Sequence, residues 1–208
     1  MKFLNFENVL CLSPHPDDVE YGMLGSVLKH QNTNFTIITL SIGGKFDKSS
    51  GDIRHKECEK VWKDVNNVEI KFSNIKHIEE ISENEIIFNI EKKYNLSKYE
   101  SIFVPPLIDS HQDHRKLNSV ATSLVRQNKC GIVEYATPST LTEWIPNYFV
   151  DLNHNIWNTK LDKLKLFESQ KGKSYFDERS LNIFHSNYEC SKRGMNIVEN
   201  FRIKKVYS

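Results

Sequence analysis

The stretch Val9-Leu10-Cys11-Leu12-Ser13-Pro14-His15-Pro16-Asp17-Asp18-Val19-Glu20 joins a strand pattern, a proline-stiffened loop and the start of a helix. The apolar run Val9–Leu12 is typical of a buried strand, and the two prolines end it. The following segment, Val19–Gln31, repeats apolar residues at helical spacing and predicts an amphipathic helix. A buried strand that runs through a polar loop into a helix is the basic unit of an α/β fold.

The same alternation of strand and helix patterns continues to about residue 136. Strands are predicted at 35–40, 68–72, 101–104 and 131–136, and helices at 52–63, 82–94 and 115–127. Such alternation favours a mainly parallel sheet flanked by helices. After it, strands are predicted at 148–152 and 201–206, a helix at 159–170 that Gly172 would end, and partial helix in 177–195. We expect a single domain over residues 1–208, with 1–136 as an α/β core and 137–208 as its C-terminal elaboration.

Composition narrows the possible partners. Lys and Arg total 28 and Asp and Glu total 27, so the net charge of +1 suggests neither a nucleic acid nor a membrane surface. The four cysteines are far apart and form no CxxC pair, which argues against a cysteine zinc cage and a disulfide framework. The N-terminus lacks the apolar region of a signal peptide, and no apolar run approaches the roughly 18 residues needed to span a membrane. We expect a cytoplasmic protein with no membrane anchor; a homo-oligomer is left open.

Two polar motifs follow predicted strands and together suggest a metal centre. His15 and Asp18 are three residues apart in a turn, close enough to bind one ion, and His114 in His111-Gln112-Asp113-His114 is the best candidate for a third ligand. Three nitrogen or oxygen ligands with one open position are typical of catalytic zinc. Such a set also suits Fe²⁺ or another divalent ion. Because ligands bind at the carboxyl ends of strands in α/β sheets, both motifs could meet at one sheet edge.

Three further groups could carry out the chemistry beside such an ion. Asp17 adjoins a ligand but would point elsewhere, so it could take a proton from the attacking water. His111, if protonated, could stabilise an oxyanion. Asp113 could hold the His111 imidazole and favour its charged form, although capping the following helix explains Asp113 equally well.

Along the chain, a strand, the motif HPDDxE and a helix are followed by a strand, the motif HxDH and a helix. This order of elements and motifs resembles the LmbE/PIG-L-like de-N-acetylase superfamily. Members of this superfamily are zinc-dependent deacetylases of N-acetylated sugars and sugar conjugates. The resemblance covers most of the chain and includes Gly22, Gly25, Ser41–Gly44, Arg54–Glu57, Asp109–His114, Glu134-Tyr135, Lys160, Ser169-Gln170, Gly194 and Glu199–Phe201. It implies a Rossmann-like sheet. The second motif departs from the common family form, since Gln112 replaces a proline.

The resemblance also implies roles for individual residues. It implies zinc binding by His15, Asp18 and His114, general base catalysis by Asp17, stabilisation of the tetrahedral intermediate by His111 with support from Asp113, and substrate binding by Arg54. The expected substrate is a small acetylated amino sugar or conjugate, such as a nucleotide sugar or glycoside. Two alternatives stay open: a deacylase of another amide, such as an acylated natural product or thiol conjugate, and a non-catalytic sugar-binding protein on the same fold.

Overall fold

The apolar run near the N-terminus forms an interior strand of a seven-stranded sheet. This computed structural model describes residues 1–42, 48–75, 77–126 and 129–207, without the side chains of 48–51 and 74. In chain order the strands are β1 (Asn8–Ser13), β2 (Asn34–Ser41), β3 (Val68–Ile75), β4 (Ser101–Val104), β5 (Gly131–Tyr135), β6 (Tyr148–Asp151) and β7 (Val198–Lys205). Their order across the sheet is β3-β2-β1-β4-β5-β7-β6. The first five pair in parallel, whereas β7 is antiparallel to both β5 and β6.

Helices cover both faces of this sheet. They are α1 (Asp18–Lys29), α2 (Lys48–Trp62), α3 (Glu83–Lys93), α4 (Gln112–Leu124), α5 (His154–Leu164), α6 (Glu178–Phe184) and α7 (Tyr188–Ser191). Successive side chains of a strand point to opposite faces. Val9 and Cys11 accordingly pack into the core with α1, α2 and α5, while Leu10 and Leu12 pack with α3 and α4. The predicted single-domain α/β fold with a mostly parallel sheet is therefore confirmed.

The C-terminal part differs most from the prediction. The helix expected at 159–170 begins at His154, because Asn153 caps it by accepting the Ile156 N–H, and it ends at Leu164. A 3-10 turn follows at Glu168–Gln170, and Gly172, with φ of 96°, lies beyond it.

Other boundaries also differ. The last strand begins at residue 198 rather than 201. The helix expected to reach Gln127 ends at Leu124, and Gln127 itself lies outside the described residues. The sequence also predicts a turn at Gly43-Gly44 and an exposed loop from there to about Gly51; residues 43–47 lie outside the described residues, and from Lys48 onward the chain is helical.

A glycine allows α1 to pack closely against the end of β5. A Cβ atom added to Gly22 would lie 2.5 Å from the Ala136 carbonyl oxygen and 2.7 Å from the Tyr135 ring. Neither atom is the end of a flexible side chain. The close approach of α1 to the sheet therefore needs a residue without a side chain at this position.

Replacing Gly22 with alanine should destabilise the protein despite the better helix propensity of alanine. Overpacking typically costs about 1–3 kcal/mol, against a propensity gain of about 1 kcal/mol. We expect a lower midpoint of urea unfolding with an unchanged slope. Asn84→Ala, at an exposed position of α3, is the control and should leave the midpoint nearly unchanged. A Gly22→Ala protein as stable as this control would contradict the packing argument.

An ion pair lies buried between α1, α5 and β7. Lys160 and Glu199 are both fully buried, with Nζ 2.6 Å from Oε1. Glu199 also accepts the N–H groups of Gly25 and the next residue of α1, and Lys160 donates to the Tyr21 carbonyl. Tyr21 and Gly25 are four residues apart, so the pair bonds to both ends of one helical turn. The C-terminal strand thereby fixes the helix that carries Asp18.

His185 completes this cluster as a neutral imidazole. Its Nε2 lies 3.0 Å from the Lys160 ammonium and its Nδ1 lies 3.2 Å from the Val198 carbonyl oxygen. Burial, and then the charge of Lys160, hold the pKa of His185 well below its usual range. A neutral ring can donate through Nδ1 and accept from Lys160 through Nε2.

Two further observations concern the cysteines and the described helices. Cys11, Cys58, Cys130 and Cys190 are all buried free thiols. None of the described helices has the length and apolar character needed to cross a bilayer.

Candidate active site

The loops after β1 and β4 meet at the carboxyl ends of these two neighbouring strands. The ring of His15, in the first loop, lies 4.8 Å from the ring of His111 and 5.7 Å from that of His114, measured between centroids. His111 is the N-cap of α4, and His114 is in its first turn. The two motifs, about a hundred residues apart in sequence, thus form a single site.

His15, Asp18 and His114 converge with a spacing that suits one metal ion. Their donor atoms all lie within 4.8 Å of one another. His15 Nδ1 is 3.1 Å from Asp18 Oδ2, and His114 Nε2 is 3.4 Å from Asp18 Oδ1. Ligands bound tetrahedrally at about 2.0–2.2 Å lie roughly 3.3–3.6 Å apart, so these separations are close to those around a zinc-sized ion. His114 Nε2 is buried and has no hydrogen-bond partner among the described residues, as expected of an atom that faces a ligand position.

Each of the two histidines has a carboxylate on its other ring nitrogen. His15 Nε2 lies 3.0 Å from Asp113 Oδ2, and His114 Nδ1 lies 3.1 Å from Asp109 Oδ2. Such carboxylate partners orient metal-bound histidines and select the tautomer whose free nitrogen binds the metal. A second grouping of His15, His111 and Asp113 also lies within 4.8 Å. That grouping would use His15 Nε2, the nitrogen already bonded to Asp113.

The electrostatics of the site favour a bound cation. Burial lowers the pKa of His15, but hydrogen bonds to Asp113 and Asp18 outweigh it and raise the pKa to about 9. Burial likewise opposes protonation of His114, yet the charge of Asp18 and the hydrogen bond to Asp109 raise its pKa to about 10. Positive charge is therefore stabilised where the ion would lie.

Asp17 is directed away from this cluster by an unusual backbone conformation. Its φ of 123° is strained for a residue with a side chain. Its N–H donates to the buried carboxylate of Glu20 at 3.1 Å. Glu20 in turn accepts hydrogen bonds from Trp62 Nε1 and the Cys58 thiol, which both belong to α2. Through Glu20, α2 therefore stabilises the backbone conformation of Asp17. The two adjacent aspartates thus face different partners, as the sequence suggested.

Arg54 holds the Asp17 carboxylate. Its Nη2 donates to Asp17 Oδ1 at 2.7 Å and to the Pro16 carbonyl at 2.8 Å. Burial raises the pKa of Asp17, Arg54 lowers it and the charge of Asp18 raises it, with a net increase over the ordinary value. A carboxylate with a raised pKa is better suited to accept and return a proton near neutral pH. Arg54 also lines the cavity, where the predicted substrate contact stays a prediction.

The structure corrects the predicted partnership of His111 and Asp113. The Asp113 carboxylate contacts His15, because the first turn of α4 directs it there, and only its backbone N–H reaches His111, at Nδ1. A ring nitrogen that accepts a hydrogen bond carries no proton. Burial and the charges of His15 and His114 lower the pKa of His111. The hydrogen bond and the lowered pKa together favour a neutral His111 imidazole with its proton on Nε2, instead of the charged form that Asp113 was expected to favour.

A cavity of about 530 Å³ opens over these groups, within the usual size range of small-molecule sites. Its walls come from both motif loops, α2, the loop after β5 and the segment between α5 and α6. They include His15, Asp17, Asp18, Tyr21, Arg54, Ser110, His111, His114, Pro138, Ser139, Lys173, Tyr175 and Phe176.

Sequence reasoning gave no role to several groups at this site. Asp109 is buried and bonds to His114, the His111 N–H and Thr137, yet its only sequence signal was its place in the resemblance. Glu20 likewise appeared only as part of the HPDDxE pattern. Lys173 and Tyr175 follow Gly172 in a segment without a motif, so only the tertiary structure brings them to the cavity. Trp144, an aromatic residue in a proline-flanked loop and thus a candidate for stacking on a sugar, is instead buried and donates from Nε1 to Glu134.

Residues 10–125 match the family model described as PIG-L: GlcNAc-PI de-N-acetylase. This span is more than half of the chain and contains both motifs. The chain belongs to the PIG-L family. The resemblance seen in the sequence is thereby confirmed, and membership of the PIG-L family indicates a de-N-acetylase of sugar-like substrates. No curated protein sequence matches the chain.

Solved structures share the whole fold of this PIG-L family member. N,N'-diacetylchitobiose deacetylase from Pyrococcus horikoshii has a TM-score of 0.77 at 24% identity, covering 97% of this chain and 85% of that one. The zinc-inhibited form of teicoplanin deacetylase Orf2 has a TM-score of 0.74 at 12% identity, covering 94% and 97%. GalB, the 4-carboxy-2-hydroxymuconate hydratase from Pseudomonas putida, has a TM-score of 0.77 at 15% identity, covering 98% of each chain. At these identities the likeness concerns the fold, and a fold can carry more than one reaction.

Proposed function

We propose that this protein is a metal-dependent hydrolase that removes the acetyl group from an N-acetylated amino sugar or sugar conjugate. The convergence of His15 Nδ1, Asp18 and His114 Nε2 beside the separately held Asp17 carries the proposal. Zinc is the proposed ion, because two imidazoles and one carboxylate are a typical catalytic zinc set. Family membership supports an N-acetyl substrate.

The proposed metal ligands and the carboxylates beside them have different roles. His15, Asp18 and His114 would hold the ion, and Asp113 and Asp109 would orient the two imidazoles. A bound divalent ion supplies Lewis acidity, which polarises the acyl carbonyl and acidifies water.

The remaining side chains move protons and stabilise charge. Asp17 accepts a proton from the water as its oxygen attacks the acetamide carbon. The neutral His111 donates through Nε2 to the oxyanion that develops on the carbonyl oxygen. Asp17 then returns the proton to the sugar nitrogen as the C–N bond breaks, which yields acetate and a free amine. Arg54 keeps the Asp17 carboxylate in place through both transfers.

The direct experiment combines metal analysis with acetate release. Protein purified without chelator is expected to hold about one zinc per chain and to release acetate from at least one of a panel of N-acetyl sugars, glycosides and nucleotide sugars. His114→Ala should lose both the metal and the activity. Wild-type protein that binds zinc but releases no acid from any acylated amine would contradict the proposed hydrolysis.

A wider panel, which adds amines with longer acyl groups and an unsaturated carboxylic acid, separates the alternatives. Release of longer acids without acetate would indicate a deacylase of another amide. Saccharide binding without metal or turnover would indicate a sugar-binding protein. Hydration of an unsaturated carboxylic acid, with no amide cleaved, would indicate the type of reaction named for GalB.

Metal affinity should rise steeply with pH. With pKa values of about 9 and about 10, His15 and His114 each hold a proton at pH 7 that the ion must displace. The apparent association constant should therefore rise by roughly two decades per pH unit between pH 7 and 8, and level off only above these pKa values. Competition with a chromophoric chelator at several pH values measures the slope. Histidines with the ordinary pKa of about 6.5 would give a nearly flat curve over that interval.

A further inference from the structure

We propose that one face of α2 positions the proposed general base at two points, its side chain and its backbone. Arg54 holds the Asp17 carboxylate, whereas Cys58 and Trp62 act on the Asp17 backbone through the carboxylate of Glu20. Glu20 is accordingly a positioning residue, which affects kcat without touching the substrate or the metal. The inference rests on the proposed function, since it concerns how the base of that reaction is held.

The residues of this face are four positions apart along α2. Arg54, Cys58 and Trp62 therefore lie on one side of the helix, one turn after another. All three are buried, with at most 8% of each residue exposed. Arg54 donates to Asp17, and the other two donate to Glu20. The helix thus presents three donors to the short segment that carries both carboxylates.

Glu20 is buried in the first turn of α1, and donors surround its carboxylate. The Trp62 indole and the Cys58 thiol both donate to Oε1, and the Asp17 N–H donates to Oε2 at 3.1 Å. A carboxylate accepts all three bonds, because its two oxygens offer about four lone pairs. A glutamine at this position would keep one accepting oxygen but would direct its NH2 group against one of these donors.

The bond from the Asp17 N–H maintains a backbone conformation that a side chain disfavours. Asp17 immediately precedes α1, and residues at such positions ordinarily have an extended conformation. Its φ is 123° instead, and such a conformation persists only where the surrounding structure holds it. In this conformation the Asp17 carboxylate meets Arg54 at 2.7 Å, while Asp18 faces the two histidines. The strained backbone therefore separates the base from the proposed metal ligands.

Capping of α1 is the alternative explanation of Glu20. A glutamate three residues after the N-cap often accepts the N-cap N–H and stabilises the helix start. A cap of this kind contributes to stability alone, whereas a positioning residue also affects the rate of the chemical step. The experiment therefore measures kcat, KM and zinc content of the folded protein, well below its unfolding temperature.

Glu20→Gln should lower kcat by about 10- to 100-fold, the scale of a misplaced reacting group, with KM and zinc content unchanged. Adding Trp62→Phe removes the indole that opposes the glutamine NH2, so kcat should recover several-fold. Glu134→Gln is the matched control, because Glu134 is also buried and accepts from a tryptophan, Trp144. This control should lose stability but keep kcat. Wild-type kcat in Glu20→Gln, or a loss that follows its zinc content, would overturn the inference.

A stability comparison gives a readout that does not depend on turnover. Asp17→Gly should unfold at a higher urea concentration than Asp17→Ala, because glycine adopts φ of 123° without strain. In the Glu20→Gln background this difference should shrink, because the backbone is then free to relax. The same difference in both backgrounds, zero included, would refute the inference. Failure to cleave any acylated amine would contradict the proposed function, and this comparison would still decide whether Glu20 holds Asp17.

Discussion

Asp17→Asn is expected to lower kcat by roughly 10²–10⁴-fold, the usual contribution of a general base. The asparagine amide keeps the size of the side chain and can still accept a hydrogen bond from Arg54, but it cannot take a proton from water. Asp17 is absent from both groups of candidate metal ligands in the described part of the chain, so the metal content should stay the same. The measurement is acetate release at saturating substrate, together with zinc per chain.

The pH profile and a matched variant make this result specific. In the wild-type protein, activity should fall as acid protonates Asp17, whose pKa is raised by burial. With zinc kept saturating at every pH, that acid limb should disappear from the residual activity of Asp17→Asn. Asp52→Asn, an exposed aspartate in α2, should keep full activity. Turnover at the wild-type rate by zinc-loaded Asp17→Asn would show that Asp17 is not the general base.

Lys160→Met should cost about 3–5 kcal/mol of unfolding free energy, because it leaves the buried Glu199 carboxylate without its cation. The loss also frees the Tyr21 carbonyl in α1 from its side-chain partner. For a domain of this size, a cost of that order lowers Tm by roughly 10 °C or more. Urea unfolding followed by circular dichroism measures the free energy directly.

A double-mutant cycle distinguishes loss of the ion pair from general damage. Glutamine at position 199 can still accept from Gly25 through its amide oxygen, so Lys160→Met with Glu199→Gln should be less destabilised than the sum of the single variants by about 1–3 kcal/mol. The exposed pair of Lys165 and Asp162 provides the control, since Lys165→Met should change stability by less than about 0.5 kcal/mol. A cost for Lys160→Met no larger than that of the control would mean that the pair does not stabilise the fold.

The parts of this structure that follow from local patterns could be predicted. The run Val9–Leu12 before two prolines is typical of a buried strand, and Ser82 followed by Glu85 is typical of a helix start, where Ser82 accepts the Glu85 N–H. The His15 and His114 loops both follow parallel strands, so the topology of the sheet itself brings them together. The exact beginning of α5 was missed because Asn153 caps it one turn before its apolar pattern becomes clear.

Side-chain directions at the site could not be predicted. Asp113 and His111 are neighbours in sequence, which suggested a direct partnership, but the Asp113 carboxylate bonds to His15, 98 residues away. Lys173 lies in a segment without periodicity, and only the packing of aromatic rings around Tyr21 brings it to the cavity. Contacts of this kind depend on how helices pack on the sheet, which spacing along the chain does not encode.

The ion pair between Lys160 and Glu199 also has a consequence for the order in which the protein matures during synthesis. The five parallel strands are complete once residue 135 has left the ribosome, but the carboxylate that binds α1 at Gly25 arrives only with residue 199. Until then the helix that carries Asp18 lacks its buried anchor, and the wall containing Lys173 is also late. We expect the nascent chain to hold the five parallel strands well before it has a working pocket, so that a ribosome stalled near residue 190 would display a partly folded and inactive protein.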